Sequence, residues 1–466
     1  MRTTRAHTPR RRSAALMAGG AAVALIVAAC APPGSSSPAT SSTTSASATT
    51  GSDAGEEPGV STELTTEPVE LDLYLESGFT AQFEALQEEF TKQFPNVTFK
   101  VRADSFQNLA QNAVRIMSSP DAPDLMRFPT VQAAAKDGIL LNLDPYAEAY
   151  GWNDWPQGTL NQVRVDETGA RGSGSLYALG VGYNVTGVYY NKAKAEALGI
   201  EIPVKTVADL EAAMEKAKAA GEIPVMLGNQ DFTYAFPLQM IQNQLDGLDQ
   251  VKDWIYQVEG ATYDIPSSVE AAAKLQDWAR KGYFPEDLNA IDYATAIGRF
   301  TDDEGLFHFN GDWEAGGFTA NAPGKFGFFP FPGLTEDAPK VAMAAPATYV
   351  IPANAKHKDE IAFFLNWVHT DPAARQIVLE YTGSTPGGPA ELEPPVAPEG
   401  SVIIETLAAA AEVAEDDGAI DFLGNATAGI LTSTLGPDLQ LLLTDRMTPE
   451  EFAAHVQQAY ETELGR

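Results

Sequence analysis

The chain has 466 residues, which suits two or three domains of about 100–200 residues each. Apolar residues make up 44% and aromatics 9%, which excludes a disordered or collagenous chain. Lys+Arg 30 against Asp+Glu 63 gives −33, the wrong sign for holding nucleic-acid phosphates, and one cysteine excludes an internal disulfide framework or a multi-cysteine zinc site.

The charge is uneven along the chain. Residues 1–30 hold five arginines and no acid, which leaves 25 − 63 = −38 for the rest. Arg2, Arg5 and Arg10 to Arg12 precede 16 uncharged residues, Ala14–Ala29. That run is shorter than the roughly 20 apolar residues that span a bilayer, and it reads as a signal-peptide core. It ends in Val27-Ala28-Ala29-Cys30, which resembles a bacterial lipoprotein signal and implies a lipid on Cys30. The alternative is an ordinary signal peptide that contains a cysteine. Ala31 to Val60 holds eight Ser, five Thr, four Gly and four Pro, with Val60 its one large apolar residue. Such a segment cannot offset its ordering entropy, so a flexible tether is expected over residues 31–65.

The body begins with Val69-Glu70-Leu71-Asp72-Leu73-Tyr74-Leu75, apolar at every second position and therefore a strand. Phe83, Leu86, Phe90 and Phe94 then mark one face of a helix, which Pro95 ends. Val97–Val101 reads as a second strand, Phe106–Met117 as a helix, and the residues after Asp121-Ala122-Pro123 as a third strand. Gly187–Tyr190 is expected as a strand, Val207–Ala220 as a helix, Pro224–Leu227 as a buried strand and Val269–Lys281 as a helix. Another helix begins over Ile361–Trp367, and Thr448-Pro449-Glu450-Glu451 starts a last one at Pro449–Leu464. Strands alternating with helices make the fold class α/β, with no internal repeat.

A series of motifs carries a family resemblance. Phe90-Thr91-Lys92-Gln93-Phe94-Pro95-Asn96-Val97, Ala122-Pro123-Asp124 and Leu141-Asn142-Leu143-Asp144-Pro145-Tyr146 stand in order. They are followed by Leu176–Gly180 with Val188–Lys192, by Phe309-Asn310-Gly311-Asp312-Trp313 and by Tyr349–Lys358. Together they resemble the extracytoplasmic solute-binding proteins of carbohydrate ABC importers, the group that includes maltodextrin- and oligosaccharide-binding proteins. The resemblance implies a two-lobed, periplasmic-binding-protein-like fold with a hinge and a ligand cleft between the lobes. By analogy the first lobe takes residues 66–182 and 347–390, and the second 183–346 and 391–466. It further implies a lipid-anchored, monomeric receptor at the outer face of a bacterial membrane, with a carbohydrate ligand, permease subunits as partners and no cofactor. Asp104-Ser105-Phe106, Gly180-Val181-Gly182, Val207 and the polar, Gly-rich insert Arg164–Ser175 depart from the family pattern; the insert reads as a surface hairpin.

Nothing in the residues points to catalysis. The five histidines show no HExxH spacing, and neither a GxSxG elbow nor a GxxxxGK[ST] loop occurs. Asp302-Asp303-Glu304 reads as a solvated loop, not a cation site. The competing functions are a receptor for a polyol, polyamine or amino acid derivative, and a secreted hydrolase.

A sugar site needs aromatic planes against C–H faces and acids or amides for paired hydroxyls. Trp313, in a Gly-rich turn, matches the stacking tryptophan that the resemblance implies; the alternative is a lid on the core. Asp312 is a hydroxyl acceptor or a turn residue. The resemblance implies a carboxylate and an aromatic from the turn Gly228–Tyr234, hence Asp231 and Tyr234, with Phe232 beside them; helix capping is the other role for Asp231. Tyr183 and Asn184 follow the first crossover, where the resemblance implies a polar contact; packing within a strand is the other role for Tyr183. Glu76, Ser77 and Phe79 end the first strand, Arg127 and Phe128 follow the third, and Asn425 precedes the final helices. Arg127 either reaches ligand or pairs with an acid.

Overall fold

The computed structural model describes residues 59–466, so the expected signal peptide, Cys30 and most of the tether lie outside the described residues. At the start of the described chain, Val60 and Leu64 lie partly buried on the core, and Asn96 Nδ2 donates to Thr65 O at 2.8 Å.

The fold is mixed α/β. Its strands are β1 Val69–Glu76, β2 Val97–Asp104, β3 Leu125–Arg127, β4 Arg164–Val165, β5 Ser175–Leu176, β6 Ala178–Asn191, β7 Phe307–Gly311, β8 Phe326–Phe329, β9 Ala342–Val350 and β10 Ala419–Ile420. The alternation in β1 buries Val69, Leu71, Leu73 and Leu75 on one face. Parallel pairing of β1 with β2 needs a crossover, which helix Thr80–Gln93 supplies while laying Phe83, Leu86 and Phe90 on the sheet. The strand order is β2-β1-β3-β9-β6-β7, with β8 added to β6 and β10 to β9; β4 and β5 form a separate hairpin.

Two large apolar clusters result. The first draws on residues between Val69 and Val181 and between Ala347 and Val378. The second draws on residues between Val188 and Met343 and between Ile420 and Tyr460. Strands β6 and β9 run through both. Ala178–Gly180 pairs with Thr348–Val350, and Tyr183–Val185 pairs with Ala344–Pro346, with a bulge between Gly180 and Tyr183. Beyond it, β7 and β8 pair with β6 on the second core's side. The crossing depends on glycine. A Cβ on Gly180 would sit 2.4 Å from Pro346 Cβ, and Gly182 has φ +101°, which side-chain-bearing residues rarely adopt. Helix Pro372–Thr382 places Val378 in the first core and Leu379 in a third, smaller cluster with Phe318 and Ile403.

Pro224–Leu227 is buried as expected but is not a strand. Only Val225 bridges β7, and Pro224 has no N–H to extend the ladder. The last helix forms over Pro449–Leu464, and Thr448 and Glu451 close a capping box. Among the described residues no helix is long and apolar enough to cross a membrane.

Phe90 is fully buried, with ring centroids of Phe94, Phe99, Phe364 and Trp367 at 4.6, 5.8, 5.2 and 5.0 Å. Phe90→Ala should therefore cost about 3–5 kcal/mol in chemical denaturation. A loss below about 1 kcal/mol would contradict this packing.

Candidate functional site

The second core delivers its contribution where β7 ends. Gly311 leads into the turn Asp312–Glu314, and a Cβ on Gly311 would lie 2.0 Å from the Trp313 ring. Only glycine lets the indole fold back over the strand. Trp313 is half-buried and packs against both cores at once. Its ring lies 5.7 Å from that of Phe236, which lies 5.4 Å from Phe422. Three aromatic rings thus form a row on the second core.

A directional hydrogen-bond chain holds the indole. His308 Nδ1 is 2.7 Å from Met226 O, and a carbonyl only accepts, so Nδ1 carries the proton. His308 Nε2 therefore accepts from Asn310 Nδ2 at 2.9 Å. Burial pushes the His308 pKa down to about 4, which keeps the ring neutral. Trp313 Nε1 donates to Tyr293 Oη at 2.6 Å, and Tyr293 Oη donates to Glu314 Oε1 at 2.5 Å. Tyr293 opens helix Tyr293–Thr301, where Asp292 caps the N-terminus, and its own N–H donates to Asp231 Oδ2 at 2.9 Å. Burial pushes Glu314 up to about 7; the Tyr293 hydrogen bond opposes this and the charge of Glu76 adds to it. Burial also raises Asp312 well above the usual carboxylate range, although backbone N–H groups of Val185 and Trp313 pull the other way.

The first core meets this surface with the ends of β1 and β3. Arg127 Nε donates to Glu76 Oε2 at 3.2 Å, and Nη1 donates to Thr348 O at 2.9 Å. Burial raises the Glu76 pKa and Arg127 opposes it. The guanidinium lies 5.7 Å from the Phe106 ring centroid, and Phe106 itself packs against the second core. Gln107 Nε2 donates across to Asp231 O at 3.0 Å. The interface therefore offers aromatic faces, carboxylate acceptors and one guanidinium, a set suited to hydroxyl-rich molecules with apolar faces. Among the described residues no group of three or more His, Cys, Asp or Glu could hold a metal.

Trp313, Asp231 and the exposed Ser77 lie at or beside this interface. Asp231 caps Tyr293 N, not the helix that follows it directly. Asp312, Tyr183 and Asn184 sit at the strand crossing. Asp312 is 1% exposed, and its Oδ1 has no partner among the described residues. Tyr183 Oη donates to Ala344 O at 3.3 Å, and Asn184 Oδ1 accepts from Ser384 Oγ at 2.5 Å. Asn425 is buried and donates to Asp421 Oδ1 at 2.8 Å.

Tyr234, Phe128 and Phe79 are placed otherwise. Tyr234 is fully buried in the second core, edge-on to Phe284 at 4.8 Å, and has no surface to offer a ligand. Phe128 and Phe79 are buried in the first core. Phe232 has φ +64°, which turns its ring onto Gly436 and the second core. Phe106, Gln107, Tyr293 and Glu314 were not singled out by sequence. Adjacency to Trp313 could have flagged Glu314, and Phe106 lies in a segment that departs from the family pattern, but nothing local marks Gln107 or Tyr293.

The sequence model of the bacterial extracellular solute-binding protein family matches residues 76–375. The multiple sugar-binding protein of Streptococcus mutans is 25% identical over 289 residues, which cover 56% of this chain and 65% of that protein. A probable sugar-binding periplasmic protein of Mesorhizobium japonicum is 28% identical over 221 residues, 46% of this chain and 50% of that one. The matches thus span between half and two thirds of these curated relatives. A structure from work on xylan utilisation by Caldanaerobius polysaccharolyticus superposes with a TM-score of 0.71 at 19% identity, covering 84% of this chain and 100% of that one. The similarity to it is one of fold.

A carboxylate raised from 4.5 to about 7 makes the folded protein hold a proton that the unfolded chain has lost. The associated stability is complete below the unfolded value and disappears as pH rises through about 7. From pH 5 to pH 8 (about one unit beyond the window on the alkaline side), the melting temperature of the wild type should fall relative to that of Glu314→Gln. His308 and His369, both pushed down to about 4, act in the opposite sense but are common to both proteins. Parallel melting curves across this range would contradict the burial of Glu314.

Proposed function

Because the chain belongs to the bacterial extracellular solute-binding protein family, we propose that it captures a carbohydrate, mono- or oligosaccharide, for an ABC importer. The observation that carries the reading is Trp313, an indole fixed by hydrogen bonds between two apolar cores and flanked by carboxylates on both. An indole covers the C–H face of a pyranose, while Glu314, Glu76 and Asp231 accept from its hydroxyls. The first lobe is assigned to residues 66–182 and 347–390 and the second to 183–346 and 391–466, joined by β6 and β9. Capture is non-catalytic: ligand enters with the lobes apart and is released to permease subunits when they part again. The protein acts as a monomer at the outer membrane face, held by a lipid on Cys30.

A thermal-shift screen of mono-, di- and oligosaccharides tests the ligand class, since a sugar at 100 times its dissociation constant stabilises by about 2.7 kcal/mol. No shift with any sugar, or turnover of one, would remove the carbohydrate-receptor reading. Trp313→Ala should weaken binding of the sugar found by roughly tenfold to 150-fold in calorimetry on folded protein. Affinity within twofold of wild type would take Trp313 out of the site. Cys30→Ser should shift the protein from the membrane fraction to the medium or leave it unprocessed; unchanged membrane association would contradict the anchor.

A further inference from the structure

The Gly-rich insert is not a free surface hairpin. Its strands β4 and β5 are fixed to the first core: Val165 and Leu176 are buried in that cluster, and Leu143 N donates to Leu176 O at 2.8 Å. From the loop between them Arg171 reaches the second core. Its Nη1 lies 2.5 Å from Asp421 Oδ2, and both side chains are 2% exposed. Nη2 donates to Ile255 O at 3.5 Å, the guanidinium stands 4.9 Å from the Tyr256 ring centroid, and Arg171 N donates to Tyr256 O at 3.1 Å. Asp421 is equally anchored on its own side, where its Oδ1 accepts from Phe422 N at 2.7 Å and Asn425 Nδ2 at 2.8 Å. Gln239 Nε2 donates to Asp421 O at 2.7 Å. Beside this pair Gln132, from the first core's helix Val131–Lys136, donates to Ile255 O at 3.4 Å.

From this geometry we infer that Arg171 and Asp421 are positioning residues for ligand capture, a latch that admits one docking register of the two lobes. The inference rests on the two-lobed receptor reading. With the lobes apart, both charges lie in water. With the lobes together, each charge is buried and tolerable only opposite the other. Such a pair adds little net attraction, because desolvation offsets most of the Coulombic gain. Its effect is selective: a closure displaced by one side chain would leave two unpaired buried charges, so misaligned closed states are depleted. The latch also ties the insert to the cleft, since Asp421 adjoins Phe422 at the end of the aromatic row.

The test needs no ligand, so its result stands apart from that of the sugar screen. Hydrogen exchange is followed on the full chain for wild type, Arg171→Gln, Asp421→Asn and the double variant. In either single variant the segments around residues 166–174 and 252–258, on opposite lobes, should exchange at least tenfold faster together. The strands Val69–Glu76 and Phe307–Gly311 should stay within about twofold, and the radius of gyration from scattering should rise. The double variant, which leaves no unpaired charge to bury, should lie closer to wild type than either single one. Unchanged exchange, acceleration of the 166–174 segment alone, or additive effects in the double variant would overturn the latch. Equal acceleration of the core strands would overturn it too, by showing that the pair supports the fold and not the docking.

Discussion

Strands β6 and β9 are each part of two apolar cores, and that sharing constrains everything else in the molecule. Their antiparallel pairing continues through the bulge at Gly180–Tyr183, so the cores are tied together along these strands. A third connection reinforces the tie: Tyr183 and Thr385 exchange backbone hydrogen bonds at 2.7 and 3.2 Å. Beyond these strands the cores also meet through side chains, among them Trp313, Phe106, Gln107 and Arg171, and through the Arg171 N to Tyr256 O hydrogen bond. Contacts of that kind can be broken without unfolding either core, whereas the strand pairing cannot.

The interface is built from groups that are costly to bury. Glu76 and Glu314 have pKa values raised by loss of water, and Arg127 and Tyr293, respectively, compensate only in part. Carboxylates held in this way are acceptors whose orientation is already set. Tyr293 illustrates how: its hydroxyl accepts from the indole N–H and donates a hydrogen bond to Glu314, so the side chains fix one another. A hydroxyl-bearing molecule entering here would meet oriented acceptors and give up less entropy than with mobile acids. The strongly acidic surface, at −33 overall, adds long-range repulsion toward anionic solutes.

The sequence carried the fold further than the site. Alternation in Val69–Leu75 and the spacing of Phe83, Leu86 and Phe90 report which faces are buried, because those periods follow from backbone geometry. Trp313 stood out because it sits in a Gly-rich turn, and the structure folds its ring over Gly311. Tyr234 and Phe128 show the limit. An aromatic after a buried strand looks the same in sequence whether its ring enters the core or the cleft, and here both enter the core. The 224–227 segment shows a second limit, since an apolar run reveals burial and not the ladder beside it.

Local chemistry in the chain determined an α/β body with buried strand faces, helix ends such as the Thr448–Glu451 box, and an acidic surface. Each of these depends on neighbours within a few residues, so one sequence suffices to read it. Tertiary structure alone decided that Tyr293 would fix the indole 20 residues away, that Gln107 would meet Asp231, and that Arg171 would pair with Asp421. Those pairings depend on where two cores come to rest against each other. That arrangement is set by the shared strands and by desolvation of whole surfaces, quantities that no short stretch of residues contains.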